Sequence, residues 1–301
     1  MHGTASPAAG SARGPRCCHN GRASFPPVTG SVRRMSESSP DATRDAGAPL
    51  RLLRYLYRVP LLLLHVGLFL PVAMLCVVVP PLARIRIGQD DTLDERMIRW
   101  WQGNLMRVFG FRLRRFGTPL SGATLFVANH VSWVDIPMLH SQRVMGFVAK
   151  REIADWPLVG WLATIGQTIF HQRGNTESLG GVLQEMLLRL QSGKPVGVFP
   201  EGRTRGGTEV GPFHARIFQA AVEAGVPVQP VALRYGVRGS AQAVVAFGER
   251  ESFLANILRL LGEPSRLAEM HFLEPIRALD IEGRRRLADT SLQRIVAAME
   301  S

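Results

Sequence analysis

Residues 196–205 read VGVFPEGRTR. A short apolar run from Val196 passes into Phe199 and Pro200, then stops on Glu201 and Gly202 with Arg203 and Arg205 behind. An apolar run this short, closed by turn residues, is a buried strand ending in a tight turn. Outward from it the chain alternates strand-like and helix-like segments from about residue 89 to 301, the pattern of an α/β layer fold. Strands are expected at 124–129, 144–149, 196–200, 226–233, 243–247 and 269–273. Between them Leu179, Val182, Leu183, Met186, Leu187 and Leu190 recur at helical spacing, with Gly193 placed to end the helix. The expected fold class is α/β: one domain with a central, mostly parallel or mixed sheet flanked by helices, preceded by an N-terminal membrane-associated helical segment.

The 301 residues allow one large domain or two small ones and exclude a peptide, a disulfide knot or a long repeat array. Hydrophobic residues make up 46% and charged residues 20%, with a mean hydropathy of +0.06, greasier than a typical soluble enzyme. Net charge is +12, and Lys150 and Lys194 are the only lysines, so the basicity is nearly all arginine. Such a charge suits nucleic acid or anionic phospholipid. Nucleic-acid binding would also ask for interleaved stacking aromatics or a known module, and neither is present. Cys17, Cys18 and Cys76 have no metal-ligand or disulfide spacing, which fits a reducing compartment and no metal site.

Residues 1–50 are rich in Gly, Ala, Ser, Pro and Arg and carry no helical or strand period, so a disordered tail is expected. No acidic residue precedes Met35, and the segment that Met35 opens differs in character. The expectation is that translation starts at Met35 and that residues 1–34 are not part of the translated protein. Residues 51–88 read as a membrane-anchoring segment. Within them 59–83 are free of charge, long enough to span a hydrocarbon core of roughly 30 Å as one helix. Pro60, Pro71, Pro80 and Pro81 argue against one straight span. Two short helices meeting at Pro71 in one leaflet are the alternative. Arg51, Arg54 and Arg58 on one side nearly balance Arg84 and Arg86 on the other, so flanking charge fixes no orientation. Trp100 and Trp101 read as an interfacial anchor.

Of eight histidines, His130 has an aspartate five positions on, in NHVSWVD at 129–135. Along a continuous helix the two side chains would point to different faces. They meet only if His130 sits in the loop after the 124–129 strand and folds back over the first helical turn, which Ser132 can cap. Asp135 then fixes the imidazole tautomer and leaves the other ring nitrogen as a base. Ligand sites in α/β sheets gather at the carboxyl ends of strands, where both this turn and the turn at Glu201 fall. There Glu201 could hold a polyol hydroxyl while Arg203 or Arg205 binds an anionic head group.

With these residues in hand, the chain resembles the glycerolipid acyltransferases typified by lysophosphatidic acid acyltransferase. Four motifs occur in the family's order: Asn129 to Asp135, the segment 168–173 ending in Arg173, Phe199 to Thr204, and 226–232, read VPVQPVA. The stretch Ala149-Lys150-Arg151-Glu152 also looks like the family's segment between the first two motifs. The resemblance implies a reaction in which His130 deprotonates a lysolipid hydroxyl that attacks an acyl thioester, acyl-CoA or acyl carrier protein, with Asp135 steadying the imidazolium. No other cofactor and no metal is implied. Arg173 and Arg203 would bind the acceptor's phosphate, Glu201 with Gly202 its glycerol portion, and Lys150 or backbone amides at the Glu201 turn the oxyanion. The product would be phosphatidic acid, made at the inner (cytoplasmic) membrane with the catalytic domain facing the cytoplasm and the bilayer and its lysolipid as partners.

Two departures bear on the acceptor. The third motif reads EGRTR where EGTRS is commoner, and Pro212-Phe213-His214-Ala215-Arg216 stands where many members carry Phe-Lys-x-Gly. An amino-acid-containing lysolipid such as lyso-ornithine lipid is therefore the second acceptor. A catalytically silent lipid-binding scaffold is the competing class; intact His130, Asp135 and Glu201 argue against it. A hydrolase is weaker still, because no GxSxG elbow is present.

Overall fold

The structure, a computed structural model, describes residues 48–87, 91–172, 176–204, 206–207, 209–277 and 283–301. Residues 1–47 of the expected tail, and Arg173 and Arg205, lie outside the described residues. Seven strands form the main sheet: β1 (Phe111–Phe116), β2 (Leu125–Ala128), β3 (Gly146–Lys150), β4 (Ile169–His171), β5 (Val196–Val198), β6 (Val228–Tyr235) and β7 (Arg266–Phe272). Their order across the sheet is β1-β7-β6-β2-β5-β3-β4. The five from β6 to β4 run parallel, whereas β7 pairs antiparallel with β6 and carries β1 parallel to itself. The sheet is thus mixed, as expected.

The helices longer than one turn are α1 (Ala48–Leu64), α2 (Leu70–Val78), α3 (Leu93–Val108), α4 (Asp135–His140), α5 (Val159–Ile165), α6 (Thr176–Gln191), α7 (Gln219–Ala224), α8 (Phe253–Gly262) and α9 (Gly283–Glu300). They cover both faces because alternate residues of a buried strand point to opposite sides. Leu125 and Val127 of β2 pack with Val182, Met186 and Leu190 of α6, the stripe read from spacing. Phe126 and Ala128 pack on the other side with Met106 of α3, Met138 of α4 and Leu260 of α8. Gly193, at φ +84°, turns the chain after α6 as expected.

One expected strand is wrong. A strand is expected at 243–247, but Gln242–Val245 is a one-turn helix. Val245 and Ala246 are fully buried, and a short apolar run has the same composition whether it buries as strand or as helix. Gln242 decides the matter: its amide accepts from the Tyr235 N–H and donates to the Leu233 carbonyl, so the chain folds back on β6 rather than beside it. Strands β1 and β4 were not anticipated.

The apolar segment is one helical run from Leu50 to Val78, long and apolar enough to cross a membrane and mostly exposed. It does not break at Pro71. Proline there lacks the N–H that would pair with Gly67 and its ring crowds that carbonyl. The helix absorbs both by widening into a π turn at His65–Phe69, where the Leu70 N–H donates to the His65 carbonyl. The break comes at Val79, which is extended, before Pro80 and Pro81. Trp100 is exposed, but Trp101 is only 7% exposed and stacks on His65 with ring centroids 4.8 Å apart, so the expected pair splits into one exposed and one core residue.

Arg54 and Arg58, read from sequence as flanking charges, are spent inside the protein. Arg58, 2% exposed, donates to the carbonyls of Leu261 (3.0 Å) and Glu263 (2.7 Å) and to Ser265 Oγ; Arg54 donates to the Gly262 carbonyl. These carbonyls end α8, where a helix leaves its last acceptors unpaired and its dipole negative. Arg58→Met keeps the apolar stem but leaves buried carbonyls without a donor, which costs about 2–4 kcal/mol. The expected loss in melting temperature in detergent is roughly 5 °C or more. A variant that melts with the parent would show that the contact carries no stability.

Candidate active site

Strands β5, β2 and β6 are adjacent and parallel, and their carboxyl ends open side by side. Asn129 and His130 follow β2, Phe199 to Gly202 follow β5, and a tight turn at 236–240 follows β6. Asn129 continues the ladder where β2 stops. Its side chain donates to the Leu233 carbonyl (3.0 Å) and accepts from the Leu233 N–H (2.8 Å), fixing the height at which His130 leaves the sheet.

His130 does fold back over the first turn of α4, as its spacing to Asp135 required. Its Nδ1 lies 2.7 Å from Asp135 Oδ2. The same oxygen accepts the backbone N–H groups of Val131 (2.7 Å) and Ser132 (2.9 Å), so the carboxylate holds the loop as well as the ring. Ser132 does not cap the helix with its side chain; its Oγ is buried without a hydrogen-bond partner among the described residues. Asp135, in the first turn of α4, places its negative charge at the positive end of the helix dipole.

Three features of the site were missed. Tyr235, the last residue of β6, is fully buried and its hydroxyl donates to Asp135 Oδ1 at 2.5 Å. Burial first, and the Asp135 carboxylate second, push the Tyr235 phenol well above its usual range, so the hydroxyl stays a donor. The carboxylate is thereby gripped through both oxygens. Phe199 stacks on the His130 ring with centroids 4.0 Å apart and planes 14° apart, and so fixes the imidazole's tilt. Phe147 stacks in turn on Phe199 and meets the edge of His140, which burial holds down to about 4 and hence neutral.

Glu201 lines the same cavity, and its carboxylate also has a structural task that the sequence does not show. It is 2% exposed, with Oε1 accepting the His130 N–H and Oε2 the Gly211 N–H, both at 2.8 Å. The carboxylate clamps the His130 loop to the loop after β5. Gly202, at φ +71°, makes the sharp turn that lets Glu201 point inward. Arg203 is exposed on that turn and does not line the cavity. Lys150 is not brought to the dyad. It is exposed at the end of β3, two strands from β2 or about 10 Å across the sheet.

His130, its Nδ1 taken by Asp135, lines a cavity of about 650 Å³ together with Asn129 and Glu201, with Glu209, Arg238 and Glu300 among its other walls. No group of His, Cys, Asp and Glu among the described residues could hold a metal ion. A general base beside an open cavity, with its other nitrogen held by a carboxylate, is equipped to take a proton from a bound hydroxyl.

Comparison with known proteins names the chemistry. An acyltransferase family model matches residues 97–234, which hold the dyad, Glu201 and all of β6 but its last residue. A lyso-ornithine lipid O-acyltransferase of Pseudomonas aeruginosa is 37% identical over 213 residues, 70% of this chain and 82% of the relative. The chain belongs to the glycerolipid acyltransferase family. A 1-acyl-sn-glycerol-3-phosphate acyltransferase of Neisseria meningitidis is similar to this acyltransferase at 40% identity over 149 residues, 49% of this chain and 58% of the relative. The crystal structure of the 1-acyl-sn-glycerophosphate (LPA) acyltransferase PlsC from Thermotoga maritima shares the acyltransferase's fold. Its TM-score is 0.63 at 20% identity, covering 85% of this chain and 96% of that one.

Proposed function

We propose that this acyltransferase moves a fatty acyl group from acyl-CoA or acyl carrier protein to the free hydroxyl of an amino-acid-headed lysolipid of the lyso-ornithine type. The observation that carries the chemistry is the His130–Asp135 pair at the wall of the cavity, with Nδ1 on the carboxylate. His130 Nε2 takes the hydroxyl proton as the oxygen attacks the thioester carbon. The tetrahedral oxyanion collapses, the C–S bond breaks, and the thiolate leaves with the proton that His130 returns. Asp135, held by Tyr235 and two backbone amides, keeps the imidazole aligned throughout. Backbone amides at the Glu201 turn are the proposed donors to the oxyanion.

For the acceptor, relatives named for lyso-ornithine lipid match over 70% and 68% of this chain. That reverses the order of the two acceptors given by the motifs alone. Lysophosphatidic acid is the second reading, favoured by the 40% identity to the Neisseria meningitidis enzyme. Residues 89–301 would form the catalytic domain and 51–88 the anchor, with the exposed leucines of α1 and Val72, Leu75 and Val78 of α2 in the bilayer. The proposed site is the inner membrane, the catalytic domain facing the cytoplasm where acyl thioesters are made. Arg173 and Arg203 remain proposed contacts to acceptor or donor anions, and Lys150 to the donor.

The test is acyl transfer by membranes carrying the protein, with labelled acyl-CoA and acyl carrier protein offered against lyso-ornithine lipid, lysophosphatidic acid and glycerol 3-phosphate. Preferred transfer to lyso-ornithine lipid is expected. Preference for lysophosphatidic acid would establish the second reading, and transfer to none would overturn both.

A further inference from the structure

The cavity beside His130 draws its charged walls from three separate parts of the chain. Glu209 comes from the loop after β5, Arg238 from the turn after β6 and Glu300 from the end of α9. All three side chains are exposed, and none makes a hydrogen bond or ion pair with another described residue. Arg238 is set with care: it is a non-glycine residue at φ +51°, between Gly236 at φ +78° and Gly239 at φ +77°. That turn is closed by the Ala241 N–H donating to the Tyr235 carbonyl and by Gln242 pairing with Tyr235 and Leu233. The arginine is thus mounted on the same rigid strand end that holds Asp135.

The balance of charge discriminates between acceptors. A phosphomonoester dianion asks for an excess of cations, with arginine forks foremost. The described lining offers one arginine against two unpaired carboxylates, Glu201 being tied to backbone amides. Two carboxylates repel a phosphate and attract an ammonium. One arginine with two carboxylates matches a head group that carries a carboxylate and an ammonium together. An ornithine acylated at its α-nitrogen is such a group, since its carboxylate and its side-chain ammonium are both free. A cavity of about 650 Å³ has room for it beside the reacting hydroxyl.

We infer that this cavity is a zwitterion-binding site in which Arg238 takes the carboxylate of an amino-acid head group while Glu209 and Glu300 take its ammonium. The assignment rests on the acyl transfer proposed above and names the residues that choose its acceptor.

The experiment offers the full chain, in membranes, four acceptors: lyso-ornithine lipid, its side-chain N-acetyl form, its carboxyl methyl ester, and lysophosphatidic acid. The parent is compared with Arg238→Gln and with the double variant Glu209→Gln/Glu300→Gln. N-acetylation is expected to cost the parent roughly tenfold in kcat/KM, carried by KM, and to cost the double variant little. Methyl esterification is expected to cost the parent a similar factor and Arg238→Gln little. The double variant is also expected to accept lysophosphatidic acid better than the parent does. Each comparison is a ratio of two acceptors within one protein, lysophosphatidic acid being scored against lyso-ornithine lipid, so a loss of folded enzyme cancels. A parent that transfers acyl groups but treats the three ornithine forms alike would overturn this assignment alone, as would variants that discriminate as the parent does. A parent that acylates no lysolipid would overturn the proposed function and this assignment with it.

Discussion

His130→Ala is expected to lower acyl transfer by three orders of magnitude or more while leaving the fold in place. General-base catalysis by a positioned side chain contributes about 10²–10⁴-fold, and here the same imidazole also returns the proton to the leaving thiolate. Among the described histidines His130 is the one that Asp135 holds. His140 is buried in α4, and the His214 ring, which lies beside Gly202, has no hydrogen bond to Asp135, whose oxygens are taken by His130, Val131, Ser132 and Tyr235. Stability should change little, because the His130 side chain is 19% exposed and the loop keeps the Val131 and Ser132 amides on Asp135. The measurement pairs initial rates with thermal melting in detergent. Transfer retained to within tenfold in a variant that melts like the parent would exclude the general-base role.

Tyr235→Phe is expected to reduce kcat by about 10–100-fold with KM nearly unchanged. The substitution keeps the ring in its buried place and removes one hydroxyl, so Asp135 Oδ1 loses the donor at 2.5 Å in a fully buried position. A buried acceptor left unpaired costs about 1–3 kcal/mol, and the carboxylate can recover part of that by rotating away from His130. Removal of the orienting carboxylate in a comparable triad costs about 10⁴-fold, so loss of the group that holds the carboxylate should cost less. An interaction that matters only as His130 becomes charged appears in kcat, which separates positioning from acceptor binding. A rise in KM with kcat unchanged would place Tyr235 in the acceptor site instead. A loss of activity that only follows the loss of folded protein would reduce it to a packing residue.

How much of this could be read beforehand depended on distance along the chain. The dyad was legible because five residues separate its partners and only one loop geometry lets them meet. The strand at Val196 was legible because its composition and its turn agree. Tyr235 was not, since it lies 100 residues from Asp135 and nothing local in VALRY says that β6 ends beside β2. Its place at the carboxyl end of an apolar run was the one available signal. Glu201 was found, but its clamp on the His130 and Gly211 amides was not, because an acid in a turn looks the same whether it faces a ligand or a backbone amide. Strand β1, FRLRRF, hides its period under three arginines, although Phe111 and Leu113 alternate with them. Arginine on an edge strand is one way to keep a sheet from pairing with its neighbours. Arg54 and Arg58 were misread for a related reason: charge beside an apolar run suggests a membrane boundary, while their partners lie more than 200 residues downstream.

The clamp that Glu201 forms between the His130 loop and the loop after β5 also shapes how substitutions combine. With the backbone of His130 hung on one side chain from another loop, positions 130, 135, 201 and 235 stand or fall as a block. Single changes there differ in severity, His130 heading them, but pairs should add little to the worse member. Engineering a new acceptor preference is therefore open at the cavity walls and closed at its floor, where every departure must first rebuild the base.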